Sequence, residues 1–134
     1  MNNPAVTDRQ LIEAALSARG RAYAPYSRFG VGAAILSADG AIFTGCNIEN
    51  ISYGLTMCAE RVAVGSAISQ GANSFVAIAI VSDSAEPVVP CGACRQVLAE
   101  FRSDFRVLTA TLSGESMEYR LDELLPKPRQ GILG

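Results

Sequence analysis

Three of the four cysteines in this 134-residue chain lie where a helix is predicted to begin, and this placement constrains the fold more than any other feature. Cys58 opens a helix that is predicted to run to Gln70. Cys91 and Cys94 lie in the first turn of another predicted helix, where a spacing of three residues puts both on one face. Both helix dipoles direct partial positive charge at the thiolates and stabilise the anions that a metal ion needs.

The residue types of this cluster favour a catalytic metal site. Sulfur ligands favour zinc, and three protein ligands leave the fourth position of a tetrahedral zinc ion open, as in catalytic sites. Glu60 follows Cys58 by two residues, and its carboxylate can move protons to and from a water at that open position. The chain contains no histidine, which excludes Ser-His-Asp and Cys-His nucleophiles and His-rich metal sites.

Two other interpretations of the cysteines stay open at this stage. Pro90-Cys91-Gly92-Ala93-Cys94 after a strand also describes a thioredoxin-like redox site, although such a site does not need Cys58-x-Glu60. A structural zinc site with Cys46 as the fourth ligand is the second alternative. Cys46 ends a β-type run and has no partner at the usual ligand spacing, so we interpret it as a buried free thiol.

Two arginines next to the cysteines can compensate the negative charge of a zinc site with three thiolates. Three thiolates on Zn²⁺ leave one net negative charge, which weakens the metal as a Lewis acid. Arg61 and Arg95 each directly follow a cysteine motif, and hydrogen bonds from a guanidinium to the thiolates would offset that charge. The alternative for both arginines is a solvated helix face, and an acidic residue such as Glu60 in a first turn can simply complement the helix dipole.

Strand and helix patterns alternate along the chain. A capping box of Thr7 and Gln10 predicts a first helix to about Arg19. The remaining patterns predict helices over Cys58–Gln70 and from near Cys91 to near Arg102, and strands over Val31–Ser37, Ala41–Asn47, Phe75–Ser82, Val107–Leu112 and Met117–Arg120. We therefore expect one α/β domain over residues 1–134, a three-layer α/β/α sandwich with a five-stranded mixed sheet.

The charge and hydropathy of the chain limit the kinds of ligand and the cellular location that we expect. The net charge of −2 and the lack of a basic cluster argue against nucleic acid and favour a small ligand. The longest apolar run is too short to span a membrane, and the N-terminus does not have the pattern of an export signal. We expect a cytoplasmic protein with reduced thiols.

Four motifs in one order resemble the small, homotetrameric cytidine deaminases from Tyr23 to about Pro126. They are Tyr26-Ser27-x-Phe29-x-Val31-Gly32-Ala33, Gly45-Cys46-Asn47-Ile48-Glu49-Asn50, Tyr53-Gly54-Leu55-Thr56-x-Cys58-Ala59-Glu60-Arg61 and Pro90-Cys91-Gly92-x-Cys94-Arg95-Gln96. Several motifs in a fixed order are far more specific than any one of them.

The resemblance implies one zinc ion per chain, with Glu60 as the proton shuttle. The implied zinc ligands are Cys58, Cys91 and Cys94, the implied substrate-binding residues are Phe29, Asn47, Glu49, Ala59 and Tyr53, and Arg61 would hydrogen-bond to the ligand thiolates. The implied reaction converts cytidine and deoxycytidine to uridine and deoxyuridine plus ammonia, in pyrimidine salvage. The implied assembly is a homotetramer in which Tyr53 reaches a neighbouring subunit's active site.

The C-terminal tail departs from the pattern of this family. Family members usually carry an aromatic residue shortly after Leu124-Leu125-Pro126, and here none follows. A modified cytosine nucleoside, such as an N4-substituted cytidine or a blasticidin-like nucleoside, is therefore the alternative substrate. Asn47 and Glu49, as residues that grip a ribose, argue against the blasticidin-like alternative.

Overall fold

The computed structural model describes residues 5–128, which form four helices and five strands. The helices are α1 (Asp8–Arg19), α2 (Ala59–Ser69), α3 (Gly92–Ala99) and α4 (Leu121–Leu124). The strands are β1 (Val31–Ser37), β2 (Ile42–Cys46), β3 (Phe75–Ser82), β4 (Arg106–Thr111) and β5 (Ser116–Arg120), and a short 3₁₀ turn covers Tyr53–Leu55. Every helix among these residues is too short or too polar to cross a membrane.

The five strands form one mixed sheet in the order β2-β1-β3-β4-β5. The pair β3–β4 is parallel, and the other three pairs are antiparallel. Since β2 and β3 both run antiparallel to β1, they are parallel to each other, and α2 and α3 are the crossover helices that parallel strands require. Both helices therefore begin at the same edge of the sheet, and this topology brings Cys58 and Cys91 together.

Helices cover both faces of the sheet. Along β1, Ala33 and Ile35 pack with α2 and α3 on one face, while Ala34 packs with α1 on the other, as the two-residue period of a strand requires. The predicted three-layer α/β/α sandwich with a five-stranded mixed sheet is confirmed.

Two glycines let helices approach the sheet closely. A Cβ atom on Gly45 of β2 would lie 2.4 Å from the Ala63 nitrogen and 2.6 Å from the Ala59 oxygen, both in α2. A Cβ atom on Gly32 of β1 would lie 2.0 Å from the Ala15 oxygen in α1. Any larger residue would push the facing helix away, so Gly45 sets the depth of α2 on the sheet.

Most element ends agree with the sequence patterns, and α3 is the main difference. Thr7 and Gln10 form the predicted capping box, with Gln10 N donating to Thr7 Oγ1 at 3.1 Å. Helix α3 ends at Ala99 instead of near Arg102, because the chain tightens into a turn that buries Phe105 in the core. The guanidinium of Arg102 then turns back to the Asp104 carboxylate.

Candidate active site

The three cysteines form one cluster at the edge of the sheet where α2 and α3 begin. Cys58 is the N-cap residue of α2, Cys91 is that of α3, and Cys94 lies buried in the first turn of α3. The Sγ atoms of Cys58 and Cys91 are 3.9 Å apart, those of Cys91 and Cys94 are 3.4 Å apart, and all three lie within 4.8 Å of one another. Zn–S bonds of about 2.3 Å in a tetrahedron put sulfur atoms about 3.8 Å apart, so the three thiols fit one zinc ion with its fourth position open.

The cluster also favours thiolates electrostatically. A hydrogen bond from Cys94 lowers the pKa of the Cys58 thiol, burial opposes this, and Arg61 lowers it further, with the result that the pKa falls to about 5. The same hydrogen bond and burial raise the pKa of Cys94. The lowered pKa of Cys58 favours the thiolate form, which is the form that binds a metal ion.

Glu60 lies beside this cluster in the first turn of α2 and is only 6% exposed. Burial raises the pKa of its carboxyl group to about 7, and the negative charge of Cys58 adds to the effect, whereas a backbone hydrogen bond and Arg61 oppose it. A carboxyl group with a pKa near neutral can both take up and release a proton under physiological conditions.

Cys58 and Glu60 line a cavity of about 180 Å³. Its other lining residues are Val31, Asn47, Thr56, Met57, Ala59, Ile80 and Val88. Ile80 and Val88 are site residues that the sequence patterns did not predict. The two-residue period of β3 places Ile80 on the face towards α2, but Val88 lies between elements and gives no pattern to recognise.

The predicted ribose-binding pair holds the loop before β1. Asn47 accepts a hydrogen bond from Val31 N at 2.9 Å and donates to Phe29 O at 2.8 Å. Glu49 accepts hydrogen bonds from Tyr26 N, Ser27 N and the Ser27 hydroxyl. The bond from the hydroxyl lowers the pKa of the Glu49 carboxyl group; burial opposes this shift, and the bonds from the two backbone N–H groups add to it. Asn47 lines the cavity, and among the contacts of residues 5–128 its amide nitrogen donates only to Phe29 O, so that its second N–H can meet a polar ligand.

Comparison with known proteins decides the family. Residues 5–110 match the family described as "Cytidine and deoxycytidylate deaminase zinc-binding region". The chain belongs to this deaminase family. The matched region of this family is a zinc-binding region, and the three thiols have the spacing that one zinc ion requires. Zinc is therefore the cofactor of this site.

Individual relatives agree with the family. A cytidine deaminase of Halalkalibacterium halodurans is 55% identical over 121 residues, which cover 89% of this chain and 92% of the relative. The crystal structure of a cytidine deaminase from Burkholderia pseudomallei superposes with a TM-score of 0.90 at 46% identity, and covers 92% of this chain and 100% of that one. A blasticidin-S deaminase of Bacillus cereus is 36% identical over 104 residues, which cover 72% of this chain and 74% of the relative.

The two arginines have different contacts in this deaminase. Arg61 Nη2 lies 3.6 Å from Cys58 Sγ and also donates to Thr56 O at 3.4 Å, so its guanidinium lies beside one thiol of the cluster. Arg95 Nε donates to Pro90 O at 2.8 Å and Nη1 to Leu124 O at 3.1 Å. Within residues 5–128, the contacts of Arg95 join α3 to the C-terminal segment and do not support the predicted role at the thiolates.

Two of the predicted substrate-binding aromatics lie at the surface of a single chain. Phe29 is 38% and Tyr53 is 64% exposed, and neither lines the cavity. Tyr53 faces Tyr26, with ring centroids 6.5 Å apart. Their roles stay predictions, as does the role of the tail, of which residues 129–134 lie outside the described residues.

The geometry weakens both alternatives for the cysteines. Cys46 Sγ donates to Arg21 O at 3.5 Å, and it is only half-buried instead of buried as predicted. Among the described residues, the group of potential metal ligands contains Cys58, Cys91 and Cys94 alone, which leaves no fourth ligand for a closed structural site. A third thiol and a buried carboxylate next to Cys91 and Cys94 are not needed by a redox pair.

Proposed function

We propose that this chain catalyses the zinc-dependent hydrolytic deamination of cytidine and deoxycytidine to uridine and deoxyuridine plus ammonia. One observation carries the proposal: three cysteine Sγ atoms lie within 4.8 Å of one another, and one of them, that of Cys58, lines a cavity together with the buried Glu60. The family match and the relatives named as cytidine deaminases support the same reaction.

In this proposal Cys58, Cys91 and Cys94 hold the zinc ion, which when bound supplies a Lewis acid that activates a water. Glu60 takes a proton from the attacking water and delivers it to N3 of the cytosine ring as oxygen bonds to C4. Glu60 then transfers the second proton of the water to the amino group, which leaves as ammonia. A pKa of about 7 suits a group that is base and acid in one cycle.

The surroundings of Glu60 favour a flat, weakly charged ring. Val31, Ile80 and Val88 give the cavity apolar walls against which a pyrimidine can pack. Asn47 and Glu49 would meet the ribose, Phe29 would pack on the base, and Ala59 would contribute from the cavity wall. Arg61 offsets the net negative charge that three thiolates leave on zinc.

A modified cytosine nucleoside is the second candidate substrate. The blasticidin-S deaminase of Bacillus cereus shares 36% of its aligned residues with this chain, against 55% for the cytidine deaminase of Halalkalibacterium halodurans. The higher identity over a larger share of the chain favours cytidine.

We also propose that the chain forms a homotetramer. Ile51, Tyr53 and Leu55 are 81%, 64% and 68% exposed on one short segment next to the site. Three exposed large apolar side chains in one segment favour an interface with another protein chain. In the tetramer Tyr53 would reach a neighbouring subunit's active site. The single domain over residues 1–134, the cytoplasmic location and the place in pyrimidine salvage stay predictions.

Ultraviolet absorbance of cytidine mixed with zinc-quantified protein tests the reaction. We expect turnover with about one zinc per chain, and a Glu60→Gln variant that keeps its zinc but turns over at least ~10²-fold more slowly. Glu13→Gln, in the exposed side of α1, is the matched control and should retain wild-type turnover. Full activity of Glu60→Gln would refute the mechanism, and turnover of blasticidin S in place of cytidine would favour the second substrate.

A further inference from the structure

The segment from Tyr26 to Val31, called here the 26–31 segment, leads into the cavity wall in a conformation that needs outside support. Arg28 has φ +59°, the left-handed region that costs an L-residue other than glycine roughly 1–2 kcal/mol. Strain of this order persists where the surrounding structure holds the backbone in place. Asn47 and Glu49 hold five polar groups of the segment, as described above.

We propose that Asp83 is a positioning residue for the substrate: it fixes the 26–31 segment, and through Val31 a wall of the cavity that Glu60 also lines. The proposal rests on the proposed function, because the substrate is taken to be cytidine. Sequence patterns do not indicate such a role, since an aspartate after an apolar strand is typical of a turn.

The contacts of Asp83 reach both sides of this segment. Its Oδ2 accepts a hydrogen bond from Gly30 N at 2.9 Å, and its Oδ1 accepts one from Arg19 Nε at 2.5 Å. Its own backbone N donates to Gly30 O at 3.2 Å. Asp83 thus joins the end of α1 to the residue that directly precedes β1, and three-quarters of its side chain is shielded from solvent.

The position of Asp83 in the sheet connects these contacts to the site. Val31 pairs with Ser82 in the antiparallel ladder between β1 and β3, so Gly30 and Asp83 form the next pair, in which a side-chain oxygen replaces the backbone acceptor. Val31 lines the cavity together with Glu60. Asp83 therefore fixes the point at which the 26–31 segment leaves the ladder.

Asp83 also begins the connection to the metal ligands. Residues 83–91 run from the end of β3 to Cys91, and Val88 within them lines the cavity. Val31 directly follows Gly30 and Val88 follows Asp83 by five residues, so the Gly30–Asp83 pair lies at the start of both chain segments that line the cavity. Loss of the carboxylate would loosen the substrate walls while Cys58, Cys94 and Glu60, which belong to helices, keep their places.

The charge state of Asp83 agrees with this role. Burial favours the neutral acid, but the hydrogen bonds from Gly30 N and Arg19 outweigh it and lower the pKa of the carboxyl group below its ordinary value of 3.8. Asp83 is therefore a carboxylate at every pH at which the enzyme would work. A partly exposed ion pair alone contributes little to stability, so the backbone contact to Gly30 is the part that a positioning role requires.

The test compares Asp83→Ala, which removes both contacts, with Asp83→Asn, which keeps an oxygen for Gly30 N. We expect Asp83→Ala to raise KM for cytidine about tenfold while kcat stays within about threefold, and to keep its zinc. Asp83→Asn should recover most of the KM. Amide hydrogen exchange of Gly30 and Val31 should become faster in Asp83→Ala. Asp104→Ala, which breaks another Arg–Asp pair at the opposite end of the sheet, should leave KM and these exchange rates unchanged.

Three results would overturn the proposal: an unchanged KM in Asp83→Ala even with lower thermal stability, a loss confined to kcat, or unchanged exchange at Gly30 and Val31. If Asp83→Ala does not fold, Asp83→Ser replaces it: its shorter side chain carries one hydroxyl in place of the carboxylate, which weakens the contact to Gly30 N, and it should raise KM in the same direction. Absence of cytidine turnover in the wild-type protein would refute the proposed function, and the exchange rates would then decide the positioning role without it.

Discussion

Replacing Gly45 by alanine tests whether the depth of α2 on the sheet sets the geometry of the active site. The new Cβ atom would lie 2.4 Å from Ala63 N and 2.6 Å from Ala59 O, whereas ordinary contacts begin near 3.4 Å. Helix α2 must therefore retreat by about 1 Å. Overpacking of this kind costs about 1–3 kcal/mol of the free energy of unfolding.

The helix that retreats carries Glu60 and begins at Cys58, whereas Cys91 and Cys94 belong to α3 and stay behind. A misplacement of about 1 Å at a reacting group can lower the rate about 10²-fold. We therefore expect Gly45→Ala to fold, to bind zinc more weakly and to have a kcat lower by roughly two orders of magnitude. Urea denaturation, zinc quantification and steady-state kinetics on cytidine measure the three effects.

Gly32→Ala is the matched control, because its Cβ atom would meet α1 at 2.0 Å from Ala15 O. The clash is at least as severe, but α1 carries none of the zinc ligands and not Glu60. We expect a similar or larger loss of stability, with kcat within about threefold of the wild type. If Gly45→Ala keeps the wild-type kcat, or if both variants lose kcat equally, the argument from helix depth is refuted.

Three further predictions concern single side chains. Arg61→Gln should weaken zinc binding about 10–100-fold in chelator competition. Arg95→Gln should lower Tm and leave zinc affinity unchanged, because the Arg95 contacts are to Pro90 O and Leu124 O. An equal loss of zinc affinity in both variants would refute this distinction. Arg28→Gly should raise the free energy of unfolding in urea by about 1 kcal/mol because it relieves the positive φ, and Arg28→Ala, which keeps the strain, should not. The lowered pKa of Asp83 stabilises the fold above the ordinary pKa of 3.8, so the stability lost in Asp83→Asn should be constant at neutral pH and vanish as the pH falls through the lowered pKa.

Local signals made much of the fold predictable. The capping box of Thr7 and Gln10 satisfies the first backbone N–H groups of α1 within a few residues, and the apolar run of β3 has the composition of a strand buried on both faces. The first turn of α3 places Cys91 and Cys94 together for the same local reason. Such features depend on neighbours along the chain, and they appear in the sequence.

The contacts of Arg61 and Arg95 show where this reasoning ends. Arg61 follows Cys58-Ala59-Glu60 and Arg95 follows Cys94, so both arginines lie next to a cysteine motif near the start of a helix, and the local sequence does not separate their roles. Helix α3 packs against α4, which offers the Leu124 carbonyl to Arg95, whereas the carbonyl that Arg61 contacts, that of Thr56, lies two residues before Cys58 and leaves the guanidinium beside the Cys58 thiol. Asp83 was missed for a related reason, because its partners Gly30 and Arg19 lie more than fifty residues away along the chain. Val88 was missed because it lies between elements, where no pattern marks it.

The sequence by itself determined the chemistry of this protein: which donors are present, the spacing of Cys91 and Cys94, and a carboxylate two residues after Cys58. The tertiary structure alone decided how these groups act. Because β2 and β3 are parallel, α2 and α3 begin at one edge of the sheet, and the three thiols meet there. Burial at that edge then raises the pKa of Glu60 to about 7, since a low-dielectric surrounding disfavours its charged form, and no local pattern contains that environment.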